Sequence, residues 1–295
     1  MALILTFNPP PMDLIFPEYD FEQIDNLTYK LVSKANGEPI TSINDSVFAY
    51  CKSLESIIIP NSVNTIGKCA FHFCESLESI IIPDSVKTIG IHAFSYCESL
   101  KSIVIPDSVT NIGSNAFFEC TSLESVVIPN SVKTISESAF SKCKSLKSII
   151  IPDSVNIIDY CAFDECTSLK SVVIGNSVNT IGNFAFDGCT SLESIIIPNS
   201  VTNISDYIFF FCTSLKSVVI PDSVNTIKKE AFSYCKSLEY VVIPDSVISI
   251  QKDVFSNCPS LKIITINGQI TEYLKEYFET NYPKIDLEYN DYLLK

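Results

Sequence analysis

Hydrophobic residues in this chain recur every 23 positions, a period too long for a single helix or strand. The clearest copy, residues 74–96, reads CESLESIIIPDSVKTIGIHAFSY. Copies follow one another without insertion or deletion, and a cysteine marks each one: Cys51, Cys74, Cys97, Cys120, Cys143, Cys166, Cys189, Cys212, Cys235 and Cys258. Because one copy is too short to bury its own apolar face, the copies must stack, and the pattern predicts a solenoid.

The order of residues within one copy predicts its local structure. The β-branched run at residues 79–82 predicts a short strand, and Pro83 ends it because proline cannot donate to a ladder. The Pro-Asp-Ser or Pro-Asn-Ser sequence is turn chemistry, and an extended piece follows it. The Ala-Phe segment before the next cysteine predicts one or two turns of α-helix or 3₁₀-helix. Its phenylalanine column is expected in the core: Phe48, Phe71, Phe94, Phe117, Phe140, Phe163, Phe186, Phe209, Phe232 and Phe255.

The repeat also carries a family resemblance. Leu77, Ile80 and Ile82 meet the leucine-rich-repeat pattern L-x-x-L-x-L. The whole unit, S-L-x-S-I-x-I-P-x-S-V-x-x-I-x-x-x-A-F-x-x-C, resembles the BspA-like leucine-rich repeat family over residues 40–266. The resemblance implies an α/β solenoid, right-handed, of about ten coils, with a parallel sheet on one face and capped ends. It also implies a bacterial or protist surface or secreted protein associated with adhesion and protein binding.

The two ends of the chain depart from the repeat. Residues 1–39 are predicted to be an N-terminal cap, residues 40–266 the solenoid, and residues 267–295 a C-terminal cap. A helix is predicted between Thr271 and Tyr282, because apolar residues fall on one helical face and a proline follows. That face carries Leu274, Tyr277 and Phe278.

Charge narrows the range of partners. The net charge is −14, and all 20 basic residues are lysine. Nucleic-acid binding is therefore not expected, because it relies on basic surfaces and arginine contacts. No apolar run is long enough for membrane insertion. The start, Met1 to Phe7, lacks the basic region of a secretory signal and favours a cytoplasmic protein, whereas the family resemblance favours the cell surface or secretion.

Candidate chemistry is sparse. The cysteine column is expected to be a ladder of buried free thiols, since parallel stacked side chains are poorly oriented for disulfides. Cys69-x-x-His72 has the spacing of zinc ligands, and Cys74, His92 and Cys97 lie near it in the repeat. Two of these cysteines belong to the core column, so we expect no metal site. We also expect no cofactor and no catalytic residues, because no nucleophile, base and orienting group fall together.

One face of the predicted strands is the candidate binding surface. If Ile80 and Ile82 point inward, then Ser79 and Ile81 point outward. The outward apolar column would interact with a protein partner or with a second copy of the chain, because large exposed apolar patches usually mark interaction sites. The alternative is a shifted register in which both columns are partly covered. The candidate residues are Ile58, Ile81, Val104, Val127, Ile150, Val173, Ile196, Val219, Val242 and Tyr240.

Overall fold

The computed structural model describes residues 19–23, 28–34, 36–269 and 271–290. The beginning of the predicted N-terminal cap and the last five residues of the C-terminal tail lie outside these ranges. The chain forms two compact units, which meet in sequence between Leu146 and Lys147. This division differs from the predicted cap and solenoid boundaries, which stay predictions.

The first unit, Met1–Leu146, is built of coils that each contribute two strands. The A strand follows the repeat leucine, and the shorter B strand follows the proline turn. A strands pair with A strands and B strands with B strands, in parallel and 23 residues apart, as in Ile57 with Ile80 and Ile66 with Ile89. The strands are β1 (Tyr19–Gln23), β2 (Thr28–Lys34), β3 (Ser42–Ile43), β4 (Ser56–Ile58), β5 (Thr65–Ile66), β6 (Ser79–Ile81), β7 (Thr88–Ile89), β8 (Ser102–Val104), β9 (Asn111–Ile112), β10 (Ser125–Val127) and β11 (Thr134–Ile135).

The second unit, Lys147–Lys295, repeats the same arrangement. Residues 193–197 occupy the place of an A strand but are not assigned to a strand. The predicted parallel-strand leucine-rich-repeat solenoid is thus confirmed in each unit. The elements are β12 (Ser148–Ile151), β13 (Ile157–Ile158), β14 (Ser171–Ile174), β15 (Thr180–Ile181), β16 (Asn203–Ile204), β17 (Ser217–Val219), β18 (Thr226–Ile227), β19 (Tyr240–Pro244), β20 (Ser249–Ile250), β21 (Ile263–Asn267), α1 (Glu272–Asn281) and β22 (Asp286–Asn290).

At both ends of the described chain, additional strands pair with the A strands. Strand β2 forms an antiparallel hairpin with β1 and pairs in parallel with β4. Helix α1 confirms the predicted helix: Thr271 caps it by accepting a hydrogen bond from the Leu274 amide at 3.3 Å, and Leu274 and Phe278 are buried. Strand β22, within the tail, pairs in parallel with β21.

The predicted helical turns before each cysteine are wrong. These segments are successive turns, and two residues four positions apart in each coil have positive φ, such as Cys69 (56°) and Phe73 (58°). Alternate amide groups of the segment donate their hydrogen bonds to the neighbouring coil. For example, the Phe71 N–H donates to the carbonyl of Ala93 in the next coil at 2.7 Å. A helix would direct every donor within its own segment. Here α1 is the only helix among the described residues.

The core consists of stacked identical side chains. Phenylalanine rings of neighbouring coils lie 5.0 to 5.7 Å apart within each unit, with planes 2° to 19° from parallel. Each of eight column cysteines donates its thiol hydrogen to the phenylalanine carbonyl of the preceding coil, at 3.0 to 3.3 Å. The same carbonyl accepts the amide of its own cysteine, as Phe71 does from Cys74 at 3.2 Å. Cysteine therefore fills a small space and satisfies its own donor.

Burial predicts how the twelve thiols react. All twelve are free; nine are buried, whereas Cys69, Cys161 and Cys258 are partly exposed. Burial also raises the pKa of Cys97 and Cys189, which disfavours the reactive thiolate. We expect a thiol-specific reagent to modify three cysteines rapidly in the native protein and nine only after unfolding. Peptide mapping by mass spectrometry identifies the sites, and rapid modification of the buried column would contradict this packing.

Candidate functional site

The A strands present one buried and one exposed face. In β6, β8 and β10 the central residue is buried, and the serine before it and the valine or isoleucine after it are exposed. The predicted inward and outward register is therefore correct for these strands, and the shifted register is excluded. The outward side chains form two parallel columns, one of hydroxyl groups and one of β-branched apolar groups.

We call the outward apolar residues of the A strands the stripe. Its members are 38% exposed at Ile58, the lowest value, and 84% exposed at Ile196, the highest. Exposed apolar side chains are costly to leave in water, so their repetition from coil to coil is unusual for a surface without a partner. In the first unit the stripe contains Ile58, Ile81, Val104 and Val127, and in the second it contains Ile150, Val173, Ile196 and Val219.

Val242 was expected on the same surface, and that expectation is wrong. It is only 8% exposed, and Tyr240 is half-buried. The strands are longer here: β19 and β21 pair over five residues, and β22 continues the ladder with five more pairs. Thr265, beside Val242, is also buried, and its hydroxyl lies 3.5 Å from the Glu288 carboxylate in β22. Val242 thus lies in the middle of a longer strand and pairs with a buried threonine.

Charged side chains precede the outward serines. The Lys101 Nζ lies 3.1 Å from Oε2 of Glu78 in the preceding coil, and the Lys216 Nζ lies 2.8 Å from Oε2 of Glu193. The hydrogen bond from Lys216 lowers the pKa of the Glu193 carboxyl. All four side chains are exposed, so each pair contributes little to stability. Their opposite charges leave the border of the stripe without a dominant sign.

The cysteine and histidine residues considered for zinc do not converge. Among the described residues, no group of three or more His, Cys, Asp or Glu could hold a metal ion. The His72 and His92 rings instead lie 5.8 Å apart, and His72 contacts the Ser95 hydroxyl. Desolvation lowers the pKa of both rings, which favours neutral imidazoles packed in an aromatic cluster.

Sequence reasoning missed that aromatic cluster. Tyr50, Phe73 and Tyr96 stack with ring centroids 5.2 and 4.2 Å apart. All three have positive φ and directly precede a column cysteine. Their spacing of 23 residues was a visible signal. Because the rings of neighbouring coils stack face to face, the cluster helps to hold the turns together, and Tyr50 at the end of the stack is 60% exposed.

Asp187 has a strongly perturbed carboxyl group. Burial raises its pKa to about 7, and the charges of Asp164 and Glu165 add to the effect. All three belong to the turns that end with a column cysteine. The folded state therefore binds a proton at Asp187 more tightly than the unfolded chain does. Its stabilising effect is full below the unfolded pKa of 3.8 and is lost as pH rises through 7.

Replacing Asp187 with asparagine tests this. At about pH 8 the variant should be more stable than the wild type by about 1 kcal/mol, a value reduced by solvent screening because Asp187 is only partly buried. At about pH 5 the difference should be smaller, since the folded carboxyl is then protonated while the unfolded one is ionised, and it should vanish only below pH 3.8. Thermal unfolding at both pH values measures the effect. Asp222→Asn, at an exposed turn of the same unit, is the control substitution.

No helix in the described part of the chain is long and apolar enough to cross a membrane. A cavity of about 720 Å³ lies near α1 in the second unit.

Comparisons with known proteins agree with this architecture. A family model described as a BspA-type leucine-rich repeat region (6 copies) matches residues 41–170 and 158–284. A leucine-rich repeat protein from T. pallidum is 32% identical, covers 59% of this chain and 88% of its own, and superposes with a TM-score of 0.52. None of the curated proteins matches the chain.

Two further solved structures resemble the chain at lower similarity. The pneumococcal vaccine antigen PcpA is 19% identical, with a TM-score of 0.51 and coverage of 92% of this chain and 96% of its own, which supports the fold alone. A leucine-rich cell surface protein from Faecalibacterium prausnitzii is 27% identical, with a TM-score of 0.44 and coverage of 91% and 98%.

Proposed function

Because the chain belongs to the BspA-type leucine-rich repeat family, we propose that it is a non-enzymatic module that binds a protein partner through the stripe. The exposure of the stripe, repeated from coil to coil, is the observation that carries the proposal. Leucine-rich repeats typically act as scaffolds for protein interaction, and an adhesion role at the cell surface follows from the family resemblance.

The chemistry of the surface defines the partner. Adjacent A strands lie about 4.8 Å apart, so each unit offers an apolar row with serine hydroxyls beside it. An extended segment of apolar side chains would bury the row, while its polar groups would bond the hydroxyls. The ion pairs Glu78–Lys101 and Glu193–Lys216 balance the border, which favours a partner without strong net charge. The serines and the stripe together therefore suit a mixed apolar and polar protein surface.

Lysine substitution of the stripe tests the proposal. The variant Ile81→Lys, Val104→Lys, Val127→Lys lies within the first unit and alters only exposed side chains. We expect it to fold but to lose partner binding by at least about tenfold, because three charges would have to be desolvated at the interface. The matched control, Asn61→Lys, Ile91→Lys, Asn111→Lys, adds the same charge at exposed positions outside the stripe.

The measurement compares proteins captured by the wild type and by both variants. A partner retained by the wild type and the control, but lost from the stripe variant, supports the proposal. Its affinity is then measured with the purified partner. Equal binding by all three proteins would place the interaction elsewhere and refute the assignment of the stripe. Circular dichroism and thermal unfolding check that each variant is folded.

Self-association is the second candidate function, because an apolar row with a balanced border can also face a second copy of itself. Sedimentation of the purified protein across a hundredfold concentration range distinguishes the two. A mass that rises with concentration in the wild type and in the control, but not in the stripe variant, supports self-association. A monomer at every concentration argues against it and leaves the stripe to a different protein.

A further inference from the structure

A cleft of about 720 Å³ lies beside the last coil of the second unit. One side comprises the turns from Phe255 to Leu261, and the other comprises the end of helix α1 and the residues that lead to β22. Its volume falls within the range of small-molecule sites. The repeated coils among the described residues have no equivalent of the helix, so this wall of the cleft is particular to the last coil.

The walls of the cleft are aromatic and fixed in position. The Tyr282 ring contacts the Phe255 ring at 6.0 Å, and its hydroxyl accepts a hydrogen bond from the Phe255 amide at 3.1 Å. On the other side, Tyr234 stacks on Phe211 at 4.5 Å. Leu261 is nearly buried. A planar or aliphatic group could therefore enter without rearranging these side chains.

The charge around the cleft is unusual for this protein. Its lining contains Lys236 and Lys284 but no Asp or Glu, although the whole chain has 34 acidic residues and 20 basic ones. Asp253 is the acid whose charge acts on Tyr282, and its carboxylate is already 3.5 Å from the amine of Lys252. The cleft thus combines apolar walls with two cationic groups in an otherwise acidic molecule.

We propose that this cleft binds a small amphipathic carboxylate, with its apolar body against Tyr234, Phe255 and Tyr282 and its carboxylate near Lys236 and Lys284. The apolar body supplies most of the binding free energy, because the lysines are exposed and contribute modestly. The lysines select the charge of the head group. A cationic ligand of the same shape would meet like charge.

Cys258 provides a reporter inside the cleft. It lines the cavity and is the one column cysteine that is not buried. Its thiol donates to the Phe232 carbonyl at 3.0 Å, which fixes its position. A bound ligand should slow alkylation of Cys258 and leave Cys69 and Cys161 unaffected, because those two partly exposed cysteines lie outside the lining.

The experiment uses three probes with the same carbon skeleton, a phenyl ring on a four-carbon chain: 4-phenylbutyrate, 4-phenylbutanol and 4-phenylbutylamine. Calorimetry measures affinity, and mass spectrometry measures the alkylation rate of each partly exposed cysteine by iodoacetamide. We expect the carboxylate to bind most tightly, the alcohol about three- to tenfold more weakly and the amine most weakly. Raising the salt from about 50 to 500 mM should reduce the difference between carboxylate and alcohol.

The variant Lys236→Gln, Lys284→Gln should weaken carboxylate binding by about three- to tenfold and leave alcohol binding unchanged. Lys87→Gln, Lys133→Gln is the matched control, since both lysines are exposed and lie in the other unit. Equal affinity for carboxylate and amine, unchanged carboxylate binding by the cleft variant, or protection of all three cysteines alike would overturn the proposal. So would no detectable binding of the carboxylate at millimolar concentration.

Discussion

The Phe71 amide donates to the Ala93 carbonyl, 22 residues away, and amides throughout each unit find their acceptors one coil along. Three sets of such bonds connect neighbouring coils: the A strands, the B strands and the turns before each cysteine. Buried amides must be satisfied, so a one-residue shift of a repeat coil against its neighbours would disturb all three sets together. In an A strand such a shift would also move the stripe to the opposite face. The constant 23-residue spacing follows from this constraint.

Fixed spacing also determines the side chains of the core. A ring placed above an identical ring at 5.0 to 5.7 Å needs no adjustment from coil to coil, which favours one residue type per column. Cysteine suits its column because its thiol reaches the carbonyl of a phenylalanine such as Phe71. Serine has a similar role at the turns, where the Ser108 hydroxyl donates to the Val86 carbonyl at 2.6 Å. The equivalent serines Ser85, Ser131, Ser223 and Ser246 donate in the same way, whereas the buried Ser154 hydroxyl has no hydrogen-bond partner among the described residues.

The 23-residue period was enough to predict the structural features that recur in every coil. The repeat predicted the buried phenylalanine and cysteine columns and the A strands. The alternation of side chains along a strand then predicted the outward position of Ile81. Helix α1 was also predictable, because its cap and apolar face are local signals. The turns before each cysteine were not, since residues such as Glu119 and Lys142 give no local sign of positive φ. Burial of Val242 depends on the longer strands around β21 and β22, which lie outside the repeat pattern.

The two candidate surfaces differ in how they could be specific. Within a unit the stripe presents nearly the same groups at every coil, so a partner shifted by one coil loses contacts only at the ends. Such a surface discriminates weakly by register and gains affinity from length. The cleft beside α1 presents a single arrangement of Tyr282, Lys236 and Lys284, so a ligand there has one orientation. Recognition of a particular molecule should therefore arise where the repeat ends, while the repeat itself supplies extended contact.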